Sequence, residues 1–106
     1  MLKLIVSGVL GQDAEVKEVG NSKIIKFSVA VSMDYKDAQG NKVEKTEWVR
    51  AALWKGKDQS TKVAEYLKKG KKVLIEGVPE SDGYKTREGE VKSALGVNVK
   101  ELEFLN

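Results

Sequence analysis

The sequence lacks residue types on which many enzyme active sites depend. It contains no cysteine and no histidine, so disulfides, thiolate chemistry, the commonest general base and the commonest transition-metal ligand are all excluded. An enzyme built from this chain would have to work with carboxylates, lysines or tyrosines alone. The sequence also has no apolar run of about 18 residues and no signal-peptide pattern at its start, which fits a protein of the cytoplasm that spans no membrane.

What the chain does contain is enough for one domain of ordinary size. Its 106 residues are 41% hydrophobic, and we expect a single domain over residues 1–106. The net charge is +3, but residues 55–72 hold seven lysines against two acids, whereas residues 73–106 hold four basic residues against seven acidic ones. This segregation favours a polyanionic partner, although lysines within 68–72 would equally complement the C-terminus of a preceding helix.

The segment 46–54 has the two-residue periodicity of a β-strand. Its odd positions from 49 to 53 are apolar and suit a buried face, so the opposite face carries Trp48, Arg50 and Trp54. Two of the largest apolar side chains on a polar face indicate either a second hydrophobic contact, such as a subunit interface or a covering loop, or a platform on which flat ligands stack. Nucleic-acid bases fit such a platform, with Arg50 holding a phosphate.

Alternation and turn residues divide the rest of the chain into further elements. Besides 46–54, strands are predicted over residues 2–10, 23–33, 73–77 and 91–104. Gly8 marks a bend that lets the first strand serve two sheets. We expect the fourth strand to stop at Pro79.

A helix is predicted over about residues 61–69, with Tyr66 on its apolar side, facing the core. Polar loops are predicted over 34–45 and 80–90, with Tyr35 at the root of the first and Tyr84 in the second. Five antiparallel strands with one helix between strands 3 and 4 is the order of an oligonucleotide/oligosaccharide-binding (OB) barrel. We therefore expect an all-β, five-stranded antiparallel OB-fold that binds its ligand on strands 2 and 3.

Several motifs resemble those of the bacterial single-stranded DNA-binding proteins. TEWVR at residues 46–50, followed by LW at 53–54, is similar to the third-strand signature of that family. EYLKKG at 65–70 and IEG at 75–77 are similar to its helix and fourth strand, and VSGVLGQD at 6–13 is similar to its first strand and the following turn. The similarity covers nearly the whole chain, with order and spacing kept.

The resemblance implies a non-catalytic protein, without cofactor or metal, at the nucleoid in the cytoplasm. Such a protein binds and protects single-stranded DNA, largely independently of sequence, in replication, recombination and repair. Bases would stack on aromatic rings while positive side chains contact phosphates. The expected stacking residues are Trp48, Trp54, Tyr35 and Tyr84. The expected phosphate contacts are Arg50, Lys36, Lys55, Lys85 and Arg87.

The resemblance also implies a homo-oligomer. First strands would pair across a two-fold axis, and two such dimers would form a tetramer, with the dimer as the simpler alternative. The expected interface residues are Leu2, Leu4 and Val6. Family members usually carry a disordered C-terminal tail that recruits other proteins. Because the sequence ends at Asn106, directly after the last strand, we expect a short form without that tail and without tail-mediated partners, either a truncated core or a natural variant from a phage or mobile element.

Two other functions are compatible with parts of the sequence. An OB-fold module could instead bind RNA or a primosome-type replication partner, which would show as a preference for RNA or for a protein over poly-dT. A metal-dependent nuclease would need acids such as Asp34, Asp37 and Glu44. These three lie in a loop that also carries several lysines, so a solvated loop is the simpler interpretation.

Overall fold

The computed structural model describes residues 1–85, 88–89 and 91–105. Most of these residues are in strands, as predicted. The strands are β1 (Leu4–Leu10), β2 (Glu15–Val19), β3 (Ser22–Ser32), β4 (Tyr35–Lys36), β5 (Lys42–Val43), β6 (Thr46–Gly56), β7 (Lys72–Lys85) and β8 (Val91–Phe104). A short 3₁₀ helix, Lys62–Tyr66, lies between β6 and β7.

Five long strands close into a barrel, in the order β1, β3, β6, β8, β7 and back to β1. Four of these pairings are antiparallel, as predicted, and the pairing of β6 with β8 is parallel. β2 pairs with the N-terminal half of β3, on the edge that β1 uses further along. This connectivity confirms the OB-fold.

The barrel interior is filled by alternate side chains of its strands. Ile25 and Val29 of β3 and Val49 of β6 are at most 2% exposed, because the period of two places them on the inward face. Residues from the other elements complete this core, among them Val6, Leu10, Phe27, Ala51, Leu67, Val73, Ile75, Val97 and Val99. The alternation predicted for the third strand is confirmed. That of the second strand holds from Ile25 to Val31, whereas Met33 lies past the end of β3 and is 52% exposed.

Gly8 lies where the first strand changes partner. β1 pairs with β7 from Leu4 to Val9, and with β3 at Val9 and Leu10. A Cβ atom on residue 8 would collide with the carbonyl oxygen of Ala30, so glycine permits the close approach of β1 to β3 that closes the barrel. The first strand therefore serves both sides of the barrel, as predicted.

The helix between the third and fourth strands is present but shorter than predicted over 61–69. Only residues 62–66 are helical, as a 3₁₀ turn, and no side chain caps it at Thr61. The carbonyl of Leu67 accepts a hydrogen bond at 2.8 Å from the backbone N–H of Ala14. Leu67 itself has φ −89° and ψ 75°, outside the helical region, so the chain leaves the helix at this residue, where it contacts the turn after β1. In the described part of the chain, no helix is long and apolar enough to cross a membrane.

Tyr66 is not in the core, and this prediction is wrong. It is 57% exposed, whereas the neighbouring Leu67 is fully buried. A 3₁₀ helix has about 3.0 residues per turn rather than about 3.6, so the apolar spacing expected of an α-helix does not apply. The Tyr66 ring instead meets Phe104 edge-on, with ring centroids 6.4 Å apart. Leu67, just beyond the helix, occupies the core position.

The fourth strand does not stop at Pro79. β7 continues to Lys85 and pairs with β8 as far as Val91, so much of the predicted loop at 80–90 is strand. Within the described residues, β1 pairs with β7 only as far as Gly77, which leaves one edge of β7 without a neighbour at position 79. Proline is tolerated on such an edge because no ladder needs its missing N–H.

Replacing Leu67 by alanine should lower the free energy of unfolding by roughly 2–5 kcal/mol, because a buried leucine leaves a cavity. Tyr66→Ala is the matched control and should cost less than about 1.5 kcal/mol, since its exposed ring makes an edge contact with Phe104. Urea denaturation followed by circular dichroism measures both values. Equal losses would mean that residues 66 and 67 share the core, as an α-helix would require.

Candidate nucleic-acid interface

A cleft of about 670 Å³ crosses the outer faces of β3 and β6. Its floor consists of the outward side chains of these two strands, and the turn at residues 11–13 forms one wall. Glu80 of β7 and Gly96 of β8 also line it. The cleft therefore lies on β3 and β6, which are the second and third long strands of the barrel. OB-folds bind oligomers on this face.

Both tryptophans line this cleft and remain about half exposed. Trp48 is 51% exposed and Trp54 is 48% exposed, so neither ring is buried under a loop of the described chain. They are six residues apart on β6, or about 20 Å at ~3.3 Å per residue, with Arg50 between them. Ala30 lies directly opposite Trp48, and Ser28 lies opposite Arg50. The outward face predicted for the third strand is confirmed.

Two residues of β3 that sequence reasoning does not single out also line the cleft. Lys26, opposite Ala52, adds a positive charge to the floor. Ile24, opposite Trp54, is 4% exposed although it is on the outer face. The alternation of the second strand already places Lys26 outward and could have identified it. Ile24 carries no such signal, because its burial depends on the neighbouring strand.

The acidic side chains at the edge of the cleft have partners of their own. Asp13 accepts a hydrogen bond from the backbone N–H of Lys69 at 2.9 Å, and its other oxygen lies 3.8 Å from the Lys68 ammonium group. Glu80 accepts a hydrogen bond from the side-chain amide of Asn98. The third acidic residue that lines the cleft, Glu15, lies 3.8 Å from the Lys17 ammonium group. These contacts offset part of the repulsion that the three carboxylates would exert on a bound anion.

Tyr35 and Lys36 lie on a separate two-stranded ribbon formed by β4 and β5. Tyr35 is 54% exposed, and its backbone is paired with that of Val43. Both residues are outside the lining of the cleft. The ribbon therefore provides an exposed ring and an exposed charge beside the barrel, in the region predicted to be a polar loop.

Two of the three acids considered for metal binding, Asp34 and Asp37, have structural partners in this region. Oδ1 of Asp34 accepts a hydrogen bond from the backbone N–H of Lys45 at 3.0 Å, and Oδ2 lies 3.6 Å from the Lys42 ammonium group. Oδ1 of Asp37 accepts hydrogen bonds from two backbone N–H groups of its own turn. Among the described residues, no three carboxylates come together as a metal site.

The remaining predicted contacts fall in three different places. Lys55 is an even number of residues from the buried Val49 and Ala51 of β6, so it lies on the same face as they do and on the face opposite Trp54. The backbones of Tyr84 and Lys85 belong to the last residues of β7, where they pair with β8. Arg87 lies outside the described residues.

The first strand presents a different apolar side chain from those predicted for an interface. Val6 is 6% exposed and belongs to the core, and Leu4 packs against that core. Ile5, on the opposite face, is 60% exposed, and Leu2 is exposed ahead of the strand. Because the barrel requires Leu4 and Val6 inward, alternation turns Ile5 outward. The apolar side chains left exposed here are therefore Leu2 and Ile5, and the interface of Leu2, Leu4 and Val6 stays a prediction.

Comparisons with known proteins agree with the fold and with the geometry of the cleft. The single-strand binding protein family matches residues 1–105. The single-stranded DNA-binding protein of Neisseria meningitidis is 35% identical over 97% of this chain and 59% of its own length. Single-stranded DNA-binding protein 1 of Chlorobaculum tepidum is 33% identical over 97% of this chain and 64% of its own length. The chain thus spans about three-fifths of the length of these curated relatives.

Solved structures share the architecture. The Plasmodium falciparum SSB in complex with ssDNA matches with a TM-score of 0.78 and 22% identity, over 100% of this chain and 96% of that chain. The small single-stranded DNA-binding protein from Streptomyces coelicolor matches with a TM-score of 0.76 and 15% identity, over 97% of this chain and 93% of that chain. The barrel and its strand order define an OB-fold protein. The chain belongs to the single-strand binding protein family.

The contacts of Asp34 predict a shifted titration. The backbone N–H of Lys45, and then the charge of Lys42, hold the pKa of this carboxyl below its ordinary value. Because the folded-state pKa is lowered, the carboxylate stabilises the ribbon above the unfolded-state pKa, and this is lost as pH falls through the lowered value. In a carbon-13 NMR titration, Lys42→Ala should raise the Asp34 pKa only part of the way, since the backbone hydrogen bond remains. A full return to the ordinary value would contradict this assignment.

Proposed function

We propose that the chain is a non-catalytic binder of single-stranded DNA, which stacks bases on Trp48 and Trp54 and holds phosphates with Arg50. The observation that carries the proposal is a pair of half-exposed indoles on one strand face, with a guanidinium between them, in one cleft. Family membership supports it, as does the likeness to a protein solved in complex with single-stranded DNA.

The chemistry of the cleft suits a single strand. Unpaired bases have free faces, so they can stack on an indole whatever their sequence, which contributes about 1–3 kcal/mol per base. Phosphates would lie near Arg50 and Lys26 on the floor, and displacement of counterions makes such binding weaken as salt rises. Contacts to phosphate carry no sequence information, so binding is largely independent of sequence.

Residues beyond the cleft extend the same proposal. Tyr35 offers a further exposed ring on the ribbon, and Lys36 offers a further charge. From the family resemblance, we include Tyr84 and Lys85 at the end of β7 as additional contacts, together with Arg87, which lies outside the described residues. A strand leaving the cleft would then find stacking and charge partners on neighbouring elements.

In the cell, this activity would protect single-stranded DNA during replication, recombination and repair, in the cytoplasm, with residues 1–106 acting as a single domain. These roles rest on family membership. Nothing in the described part of the chain favours RNA or a primosome-type partner as the ligand in place of DNA.

Replacing Trp48 or Trp54 by alanine should weaken binding to poly-dT by roughly 1–3 kcal/mol each, because each variant removes one stacking surface. Poly-dT should also quench the tryptophan emission of the unmodified protein, since bases would lie on the indoles. A labelled oligo-dT measures the affinities by fluorescence anisotropy, and urea denaturation confirms that each variant unfolds cooperatively.

Tyr66→Ala is the matched control for these variants, because it removes an exposed aromatic ring outside the cleft and should leave affinity near that of the unmodified protein. Parallel titrations with poly-rU and duplex DNA test the ligand class. Tighter binding to poly-rU would contradict the choice of DNA. Unchanged emission at concentrations where anisotropy shows binding would contradict the stacking platform.

We further propose that the chain assembles through its first strand, as a homotetramer or, more simply, a dimer. β1 pairs with β7 along one edge, and within the described residues it pairs with β3 only at Val9 and Leu10. The other edge of residues 4–8 therefore offers backbone groups to a second copy. Ile5 places an exposed apolar side chain on the same segment. Two such edges meeting across a two-fold axis would form a closed interface.

Ile5→Lys should shift the assembly towards monomers, because it places a charge in the proposed interface without altering the barrel interior. Val19→Lys, which changes an exposed apolar residue of β2, is the matched control and should leave the mass unchanged. Sedimentation equilibrium at micromolar concentration measures both. A monomeric mass for the unmodified protein, or equal effects of the two variants, would refute assembly through β1.

A further inference from the structure

We infer that Gly11 is a positioning residue for base stacking, because its missing side chain provides the place where the Trp48 indole lies. Gly11 belongs to the turn after β1 that forms one wall of the cleft. The inference rests on the proposed function, since it concerns the orientation of a ring that is proposed to stack on DNA.

The close approach of the ring to the turn carries the inference. A Cβ atom built on residue 11 would lie 2.6 Å from both Cη2 and Cζ3 of Trp48, and 3.9 Å from Cε3. Ordinary contacts of a Cβ atom begin near 3.4 Å. The six-membered part of the indole therefore lies over the backbone of the turn, where any residue other than glycine would displace it.

The turn is held in place from several sides, so it is the ring that must move. The backbone N–H of Gly11 donates to the carbonyl of Ser28 at 3.3 Å. The preceding Leu10 is 1% exposed, donates to the carbonyl of Lys71 at 2.9 Å and accepts from the N–H of Gly70 at 2.9 Å. Each of these bonds uses backbone atoms that an alanine at position 11 would retain.

The backbone of Gly11 itself does not require glycine. Its φ lies outside the left-handed region, unlike that of the four glycines with positive φ in the described chain. Glycine at position 11 is therefore explained by the indole rather than by the turn. Since Trp48 is half exposed, its ring can rotate away into solvent, and we expect Gly11→Ala to remain folded while losing the orientation of the platform.

The test compares Gly11→Ala with Trp48→Ala and with the double variant, using a labelled oligo-dT. Gly11→Ala should lose affinity roughly 5- to 150-fold, comparable with the loss of one stacking contact. The same substitution in a Trp48→Ala background should have no further effect, because the ring it acts through is gone. Gly56→Ala is the matched control: its Cβ would meet Gln59 at ordinary distances of 3.5–3.8 Å, and it should bind as the unmodified protein does.

A measurement without DNA separates this inference from the proposed function. With Trp54→Phe as the background, Trp48 is the sole tryptophan, and Gly11→Ala should make its emission more accessible to acrylamide. Any of three results would overturn the positioning role. The accessibility of Trp48 to acrylamide could be unchanged by Gly11→Ala, Gly11→Ala could lose as much affinity in the Trp48→Ala background as in the unmodified protein, or Gly11→Ala could fail to unfold cooperatively. A different pair of results would separate the two claims. If Trp48→Ala binds DNA as tightly as the unmodified protein while Gly11→Ala raises the accessibility of Trp48, then stacking on Trp48 is refuted and the contact between Gly11 and Trp48 is upheld.

Discussion

The pairing of β3 with β6 is the constraint on which the rest of the structure depends. All 11 residues of β3 pair with β6 in unbroken register. Because side chains alternate along both strands, this one register directs Val29 and Val49 into the core and Trp48 and Arg50 outward. A slip of one residue would reverse both faces together. The packing of the core therefore holds the cleft residues in their positions.

The segment between β6 and β7 is far from the turn after β1 in the sequence, yet it holds that wall of the cleft in place. Its carbonyl groups at Leu67 and Lys71 accept hydrogen bonds from the backbone on either side of the turn after β1. The carboxylate of Asp13 completes this contact by accepting the N–H of Lys69. These bonds hold one wall of the cleft against the segment that follows the 3₁₀ helix.

Features that depend on alternation within one strand were determined by the sequence itself. The outward placement of Trp48, Arg50 and Trp54 follows from residues 46–54 alone, since the two faces of a strand are a local property. The inward residues from Ile25 to Val31 follow in the same way. The order of the predicted strands and helix along the chain indicated an OB-fold, and the chain's membership of the single-strand binding protein family agrees with it.

Only the tertiary structure decided features that need a partner elsewhere in the chain. Whether Tyr66 or Leu67 is buried depends on hydrogen bonds with the turn after β1, and whether Pro79 ends a strand depends on how far β1 reaches along β7. The contact of Trp48 with Gly11 joins two elements that are neighbours only in space. The periodicity of a sequence indicates which side chains share a face of one element, but it does not indicate which other element packs against that face. These three features therefore depend on the tertiary structure.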